Sequence, residues 1–202
     1  MWLVLFKKRD IILLIFVLIF VLCFHLMITA RSAYTDEIEV ALTVNVYENT
    51  DIDSLLLMLG DIKVTFFICE EFEMLHGDKL IKLTGYGHDI GLLENNFENK
   101  PIREINDHLA ERIENIAFLS GQNCQCIRFE DNASLSSSIT AVNRLRLSVV
   151  QWSATEADKA YSMGDIILVE GCGNISGTVD KLIYGGYKIV NVESLIKNKL
   201  AG

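Results

Sequence analysis

The sequence lacks the glycine patterns that hold nucleotides. No Gly-x-Gly-x-x-Gly follows the first predicted strand, and no lysine-bearing phosphate loop occurs. The stretch Gly171–Gly177 has the wrong spacing for such a loop and does not open a helix directly. We therefore exclude nucleotide binding as the role of these glycines.

Basic residues are in deficit. Eighteen lysines and arginines stand against 27 aspartates and glutamates, which gives a formal net charge of −9. Residues 1–33 hold four basic residues and one acid, a balance of +3, so residues 34–202 carry −12. A domain this acidic repels nucleic acid and anionic lipid through its net field. An uncharged or cationic polymer is the better partner, and no nucleic acid is expected.

Formal charge is missing altogether from Ile11–Ala30. As a helix this run spans roughly 30 Å, the thickness of a bilayer core. It is longer than the apolar region of a secretory signal, and Ile28–Ala30 is a poor cleavage site. Three basic residues precede the run and only Arg31 follows closely, so the N-terminus should stay in the cytoplasm. We predict a single-pass protein of the cell membrane, with a cytoplasmic segment 1–10, a transmembrane helix 11–30, a tether 31–39 and an extracytoplasmic domain 40–202.

Cysteine is present but has no metal-binding spacing. Cys124 and Cys126 are separated by one residue, whereas a zinc knuckle has two residues between its cysteines. One cysteine, Cys23, falls in the predicted anchor. The four that follow it could form two disulfides in an oxidising compartment, although free buried thiols are the favoured interpretation. These four are Cys69, Cys124, Cys126 and Cys172.

Predicted strands and helices alternate after the tether. Short runs rich in valine and isoleucine are typical of buried strands, and the segments between them have the periodicity or the caps of helices. Seven strands with helical crossovers predict an α/β fold with mainly parallel pairing, closer to a barrel than to a doubly wound sheet. The predicted strands are 37–47, 63–69, 88–93, 124–130, 148–153, 164–171 and 188–193.

The clearest predicted helix lies between Pro101 and Gly121. Isoleucine and leucine recur there at spacings of three and four residues, with charged residues on the other face. Proline is favoured at the start of a helix and glycine just past its end, so both boundaries are predicted. The other predicted helices are 50–60, 70–87, 136–147, 178–187 and 194–200.

Eight sequence segments occur in this order along the chain: ALTVNVYENTD, KVTFFIC, GHDIGLLENNF, EINDHLAERIENIAFLSGQ, IRFEDN, VVQWSATEAD, GDIILVEG and GGYKIVNVESLI. Together, in this order, they resemble the polysaccharide deacetylases, a family of metal-dependent esterases that includes chitin and peptidoglycan deacetylases. The resemblance covers about Val40 to Leu200. It implies a distorted, partly open (β/α) barrel.

The family's chemistry requires a divalent metal such as zinc, held by one aspartate and two histidines. The resemblance puts Val46 at the metal aspartate, and Leu93 and Phe97 at the metal histidines. These side chains cannot coordinate a cation, so we expect no metal and no other cofactor. The loop framework remains, and His88 within it should make a structural hydrogen bond.

The family's catalytic positions are also changed. Asn45 stands where the family has its base, an aspartate, and an amide has no carboxylate to accept a proton. Glu170 stands where the family has its acid histidine. Arg128 and Asp158 keep the family's residues, and we expect Arg128 to pair with a carboxylate such as Asp158. No catalytic residue is expected from this set.

Polar residues should gather at the carboxyl ends of the strands, where barrel enzymes have their sites. Two carboxylates there could do glycosidase-like acid–base work, but a solvated acidic rim is the favoured interpretation. On that interpretation the loss of Glu94 costs little stability and the loss of Arg128 costs more. His76 and His108 are expected at the surface of helices. The candidates for a substrate groove are Glu94, Asn95, Asn96, Glu130 and Trp152.

Two functions follow from these observations. The first is a pseudoenzyme that binds or organises cell-wall glycan or an envelope protein. The alternative is an active deacetylase or hydrolase that acts on N-acetylated cell-envelope polysaccharide with displaced catalytic residues. A purely structural role near the membrane would involve neither glycan nor metal.

Overall fold

The computed structural model describes residues 17, 19–21, 37–95, 97–130, 136–170 and 174–201, without the side chains of 136, 137 and 198–201. Residues Ile38–Gly202 group into one unit. The predicted transmembrane helix 11–30 falls almost wholly outside the described residues. Within the described part of the chain, no helix is long and apolar enough to cross a bilayer.

Eight parallel strands form one sheet, with the order β5-β4-β3-β2-β1-β7-β6 and with β8 beside β1. Ala41 of the central strand pairs with both Ile166 and Val190, so β7 and β8 flank β1 on opposite edges. The strands are β1 (Ile38–Val46), β2 (Thr65–Ile68), β3 (Asp89–Glu94), β4 (Cys126–Phe129), β5 (Ser148–Val149), β6 (Ala154–Thr155), β7 (Ile166–Val169) and β8 (Tyr187–Val190).

The sheet curls into a partly open barrel. Its edge strands β5 and β6 have two residues each, and among the described residues no pairing joins them. The α/β barrel predicted from the sequence is confirmed, with one strand more than expected. The predicted strand 148–153 is strand only at Ser148–Val149, and the additional strand β6 follows it at Ala154–Thr155. Between them the amide of Val150 donates to the carbonyl of Ile127 and the amide of Ser153 to that of Ile166, so the chain crosses from β4 to β7.

Helices connect the strands, and local capping sets their ends. The carboxylate of Asp51 accepts hydrogen bonds from the amides of Asp53 and Ser54 at 3.1 and 3.2 Å, which starts the first helix. The predicted helix after Pro101 is confirmed, and Gly121 ends it at φ 72°, a left-handed conformation that favours glycine. The helices are α1 (Ile52–Leu59), α2 (Glu70–Gly85), α3 (Ile102–Ser120), α4 (Ser136–Arg144), α5 (Ile175–Tyr184) and α6 (Val192–Ala201).

The barrel interior is closely packed around Gly91 of β3. A Cβ atom at this position would lie 2.6 Å from the Phe67 ring and 2.8 Å from the Cys126 sulfur. Any side chain would therefore displace Phe67. The described cysteines Cys69, Cys124 and Cys126 are free thiols. Burial raises the pKa of the Cys124 thiol to about 11, so this thiol is kept in its neutral form.

Candidate functional site

A groove opens at the carboxyl ends of β1, β2, β3 and β4, where barrel proteins usually carry their sites. Its volume is about 710 Å³. Most of its lining side chains are polar, and five of them are glutamates. The groove is lined by Val44, Asn45, Tyr47, Glu48, Asn49, Thr50, Leu55, Cys69, Glu70, Glu71, Leu93, Glu94, Asn95 and Glu130.

Arg128 lies fully buried beneath the groove. Its Nη1 atom donates to Oδ1 of Asn45 at 2.9 Å, and its Nη2 atom to Oγ1 of Thr43 at 3.0 Å. Its Nε atom donates to the carbonyl of Val150 at 3.2 Å. Its Cζ atom stands 4.0 Å from the centre of the Phe67 ring. All these partners are neutral, and burial lowers the pKa of Arg128 to about 10.

The predicted pairing of Arg128 with Asp158 is wrong. Among the described residues, no ion pair joins Arg128 to a carboxylate. Asp158 instead accepts a hydrogen bond from the amide of Thr155 at 2.7 Å, within a turn of its own loop. Asp158 therefore shapes that loop, and Asn45 is the side chain that orients the guanidinium.

The mouth of the groove carries negative charge. Tyr47 is half-exposed there, and the amide of Asn45 donates to its hydroxyl at 3.5 Å. The pKa of Tyr47 is raised, mainly by burial and also by the charges of Glu130 and Glu170, although the hydrogen bond from Asn45 lowers it. The carboxylates of Glu130 and Glu170 are therefore both near enough to Tyr47 to influence its phenol electrostatically.

The three family metal positions are apolar and buried. Val46, Leu93 and Phe97 are 0%, 2% and 4% exposed. Leu93 lines the groove, whereas the ring of Phe97 packs edge-on against the rings of Phe129 at 6.3 Å and His108 at 5.6 Å between centroids. These side chains offer no atom that could bind a cation. Throughout the described part of the chain, no three His, Cys, Asp or Glu residues group as metal ligands, so the residues present do not fit the family's metal.

A buried charge network supports the groove wall from behind. Arg112 of α3 is 2% exposed and donates from Nη1 to Glu94 at 2.6 Å and from Nε to Glu73 at 3.0 Å. The same guanidinium donates to the carbonyls of Ile68 at 2.9 Å and Leu93 at 3.1 Å, at the ends of β2 and β3. Burial lowers the pKa of Arg112, but the carboxylates of Glu94 and Glu73 outweigh this effect, and the pKa lies above its usual value. One arginine therefore ties two strand ends and two carboxylates together.

His108 completes this network, which we call the Arg112 cluster: Glu73, Glu94, His108 and Arg112. Its Nε2 atom lies 3.2 Å from Oε1 of Glu94, and this hydrogen bond raises the pKa of His108. His108 is only partly at the surface: about a quarter of its side chain (26%) is exposed, and its ring packs on Phe97. The rim position expected for Glu94 is wrong, because Glu94 is 6% exposed and paired.

His88 and Trp152 do not line the groove. The Nδ1 atom of His88 accepts a hydrogen bond from the amide of Val64 at 3.3 Å, and burial lowers the pKa of His88 to about 4. A neutral histidine with this bond has the structural role that the sequence suggested. The centre of the Trp152 ring lies 5.5 Å from Cζ of Arg128, and Trp152 is not among the residues that line the groove.

The structure brings four of the predicted polar site residues to the groove, beside Leu93: Asn45, Glu94, Asn95 and Glu130. Glu170 lies close enough to act on Tyr47, while its own amide donates to Glu156 at 3.0 Å. Asn96 lies outside the described residues. Sequence reasoning missed Arg112, although it falls on the same helical stripe as the core residues Ile105, Leu109 and Ile116.

Solved structures with a similar fold include members of carbohydrate esterase family 4. A family 4 pseudoenzyme from Bacillus anthracis has a TM-score of 0.71 and 18% identity, over 79% of this chain and 66% of that chain. A family 4 carbohydrate esterase from Bacillus anthracis has a TM-score of 0.71 and 20% identity, over 81% and 84%. A mutant of peptidoglycan deacetylase PdaC from Bacillus subtilis has a TM-score of 0.65 and 17% identity, over 82% and 93%.

The polysaccharide deacetylase resemblance is thereby confirmed at the level of the fold. This chain spans about two thirds of the length of the pseudoenzyme chain. Searches with family models and among curated proteins give no match. The fold is shared, and the chemistry of this chain must be argued from its own residues.

Proposed function

We propose that the chain is a catalytically inactive protein with a polysaccharide deacetylase fold whose groove binds cell-wall glycan. One observation carries the proposal: at the metal positions Leu93 and Phe97 are packed apolar side chains, while the groove beside them stays open and polar. Loss of the ligands removes the metal-activated water that the family's hydrolysis needs. The groove does not need the metal ligands in order to bind glycan.

The base position supports the same conclusion. Oδ1 of Asn45 accepts a hydrogen bond from Arg128, and an amide cannot take a proton from water near neutral pH. The carboxylate of Glu94, which lines the groove at the end of β3, is committed to Arg112 and His108. Neither residue is poised to act as a general base.

The charge of the groove limits the glycan it takes. Among the described residues, its lining includes Glu48, Glu70, Glu71 and Glu130 but no lysine, arginine or histidine. Of the nearby cations, Arg112 and Arg128 are buried and donate to protein acceptors. An anionic polymer is therefore repelled, whereas a glycan with free amino groups gains electrostatic attraction. We propose that the groove prefers amine-bearing over N-acetylated glycan.

An anchored position facing the cell wall agrees with this ligand. The charge-free run Ile11–Ala30 and the basic residues before it support a single membrane span with the domain outside. An envelope protein is the alternative partner to glycan. The alternative function, an active deacetylase or hydrolase with displaced residues, would require a metal or a carboxylate pair outside the family positions.

Binding of matched oligosaccharides tests the proposal. The full chain should bind β-1,4-linked glucosamine hexamers more tightly than N-acetylglucosamine hexamers in isothermal titration calorimetry, and it should release no acetate. The double change Glu70→Gln and Glu71→Gln removes two exposed groove charges and should weaken glucosamine binding several-fold, more so at low salt.

Glu104→Gln with Glu111→Gln is the matched control, because it removes two exposed charges from α3, outside the groove lining. This variant should bind glucosamine hexamers as the unmodified chain does. Failure to bind either hexamer would overturn glycan binding, and release of acetate would favour the active-enzyme alternative.

A further inference from the structure

A second cavity lies at the opposite end of the barrel from the groove. It is formed between the amino ends of β2 to β5 and helix α6, and its volume is about 130 Å³. Ligand pockets for organic molecules usually measure about 300–1,000 Å³, so this floor cavity suits an occupant of only a few atoms. Its polar side chains include Thr65, Asp89, Gln122, Gln125 and Ser148.

Two buried side-chain oxygen atoms of residues that line this floor cavity have no hydrogen-bond partner among the described residues. They are Oδ2 of Asp89 and Oε1 of Gln122. The Nε2 atom of Gln122 donates to Oδ1 of Asp89 at 3.3 Å, and Oε1 of the same amide group has no donor among the described residues. Buried acceptors without a donor are rare in native proteins. Both atoms therefore need a group that donates hydrogen bonds.

Lys197, a lysine that lines the floor cavity, already has a carboxylate partner. Lys197 of α6 donates to Glu193 one helical turn away. Burial raises the pKa of Asp89, and the charges of Glu193 and Lys197 act on it in opposite directions. A positive charge beside Asp89 would offset the cost of burying its carboxylate.

We propose that the floor cavity binds a small monovalent cation that donates hydrogen bonds, namely ammonium or a primary alkylammonium group. Such a group has enough N–H donors for Asp89 and Gln122 together, with others left for the hydroxyl oxygens of Thr65 or Ser148. A divalent metal is a poor fit, because in the described part of the chain no three metal-binding side chains group together. The site is separate from the groove and does not depend on glycan binding.

Thermal unfolding of the full chain tests this proposal at constant ionic strength. Ammonium chloride should raise Tm along a saturating curve, because a ligand that binds only the folded state stabilises it by mass action. Methylammonium should act similarly. Tetramethylammonium, which has the same charge but no N–H donor, should leave Tm unchanged.

Two variants locate the effect. Asp89→Asn should abolish the ammonium-dependent rise, and Gln122→Met should reduce it without removing a charge, which keeps the test usable if Asp89→Asn fails to fold. The groove variant Glu70→Gln should retain the full rise. No rise in the unmodified chain, or an equal rise with tetramethylammonium or in both floor-cavity variants, would overturn the proposal.

Discussion

Replacing Arg112 by alanine should destabilise the fold more than the loss of any exposed arginine. The change would leave the buried carboxylate of Glu73 without its ion pair and Glu94 with His108 as its remaining partner. The carbonyls of Ile68 and Leu93 would lose this donor as well. Breaking a buried ion pair on one side costs about 3–5 kcal/mol. Urea unfolding of the full chain should show this loss as a lower free energy of unfolding.

Arg103→Ala is the matched control on the same helix. Arg103 pairs with Asp107 at 3.7 Å, and the two side chains are 92% and 68% exposed. Exposed pairs contribute little, so this variant should stay within about 0.5 kcal/mol of the unmodified chain. If Arg112→Ala unfolds at the same urea concentration as Arg103→Ala, the Arg112 cluster does not support the groove wall.

Rebuilding the family's ligands should destabilise the protein until zinc is added. The variant combines Asn45→Asp, Val46→Asp, Leu93→His and Phe97→His. Three of these positions are at most 4% exposed, and each polar group placed there without a partner costs about 1–3 kcal/mol. Phe97 would also lose its ring contacts with Phe129 and His108. Bound zinc should recover part of this loss, measured as a zinc-dependent rise in Tm.

Asn45→Asp alone separates the two effects. It places a carboxylate beside the Arg128 guanidinium, which now lies 2.9 Å from the amide oxygen, and should be tolerated without zinc. Deacetylase activity need not return in the fourfold variant, because Glu170 still occupies the acid position. A fourfold variant that is stable without metal and indifferent to zinc would show that these positions do not converge.

The sequence predicted the elements that depend on local signals. The helix between Pro101 and Gly121 has both boundary residues and a regular apolar stripe, and the structure has it at Ile102–Ser120. Helix α6 begins two residues before its predicted start, because the Asn191 side chain accepts a hydrogen bond from the amide of Ser194 at 2.9 Å. Strand β6, with two residues, is too short to leave a periodic pattern.

The Arg112 cluster could not be predicted from local pattern, because its members come from distant parts of the chain. Arg112 bonds to Glu73 and Glu94, which are 39 and 18 residues away in sequence. The predicted strand 88–93 ends one residue before Glu94, and the sequence therefore places Glu94 in a solvated loop. In the structure β3 continues through Glu94, which pairs in register with Phe129. An arginine on the apolar stripe of α3 was the available signal for a buried partner.

Metal analysis of the purified full chain, after exposure to zinc and removal of unbound ions, tests the central claim most directly. Inductively coupled plasma mass spectrometry measures the zinc, cobalt and nickel that remain. We predict far less than one ion per chain, because Val46, Leu93 and Phe97 present no donor atoms at the family's ligand positions. One tightly bound ion per chain, at any set of ligands, would contradict the account of an inactive glycan-binding groove.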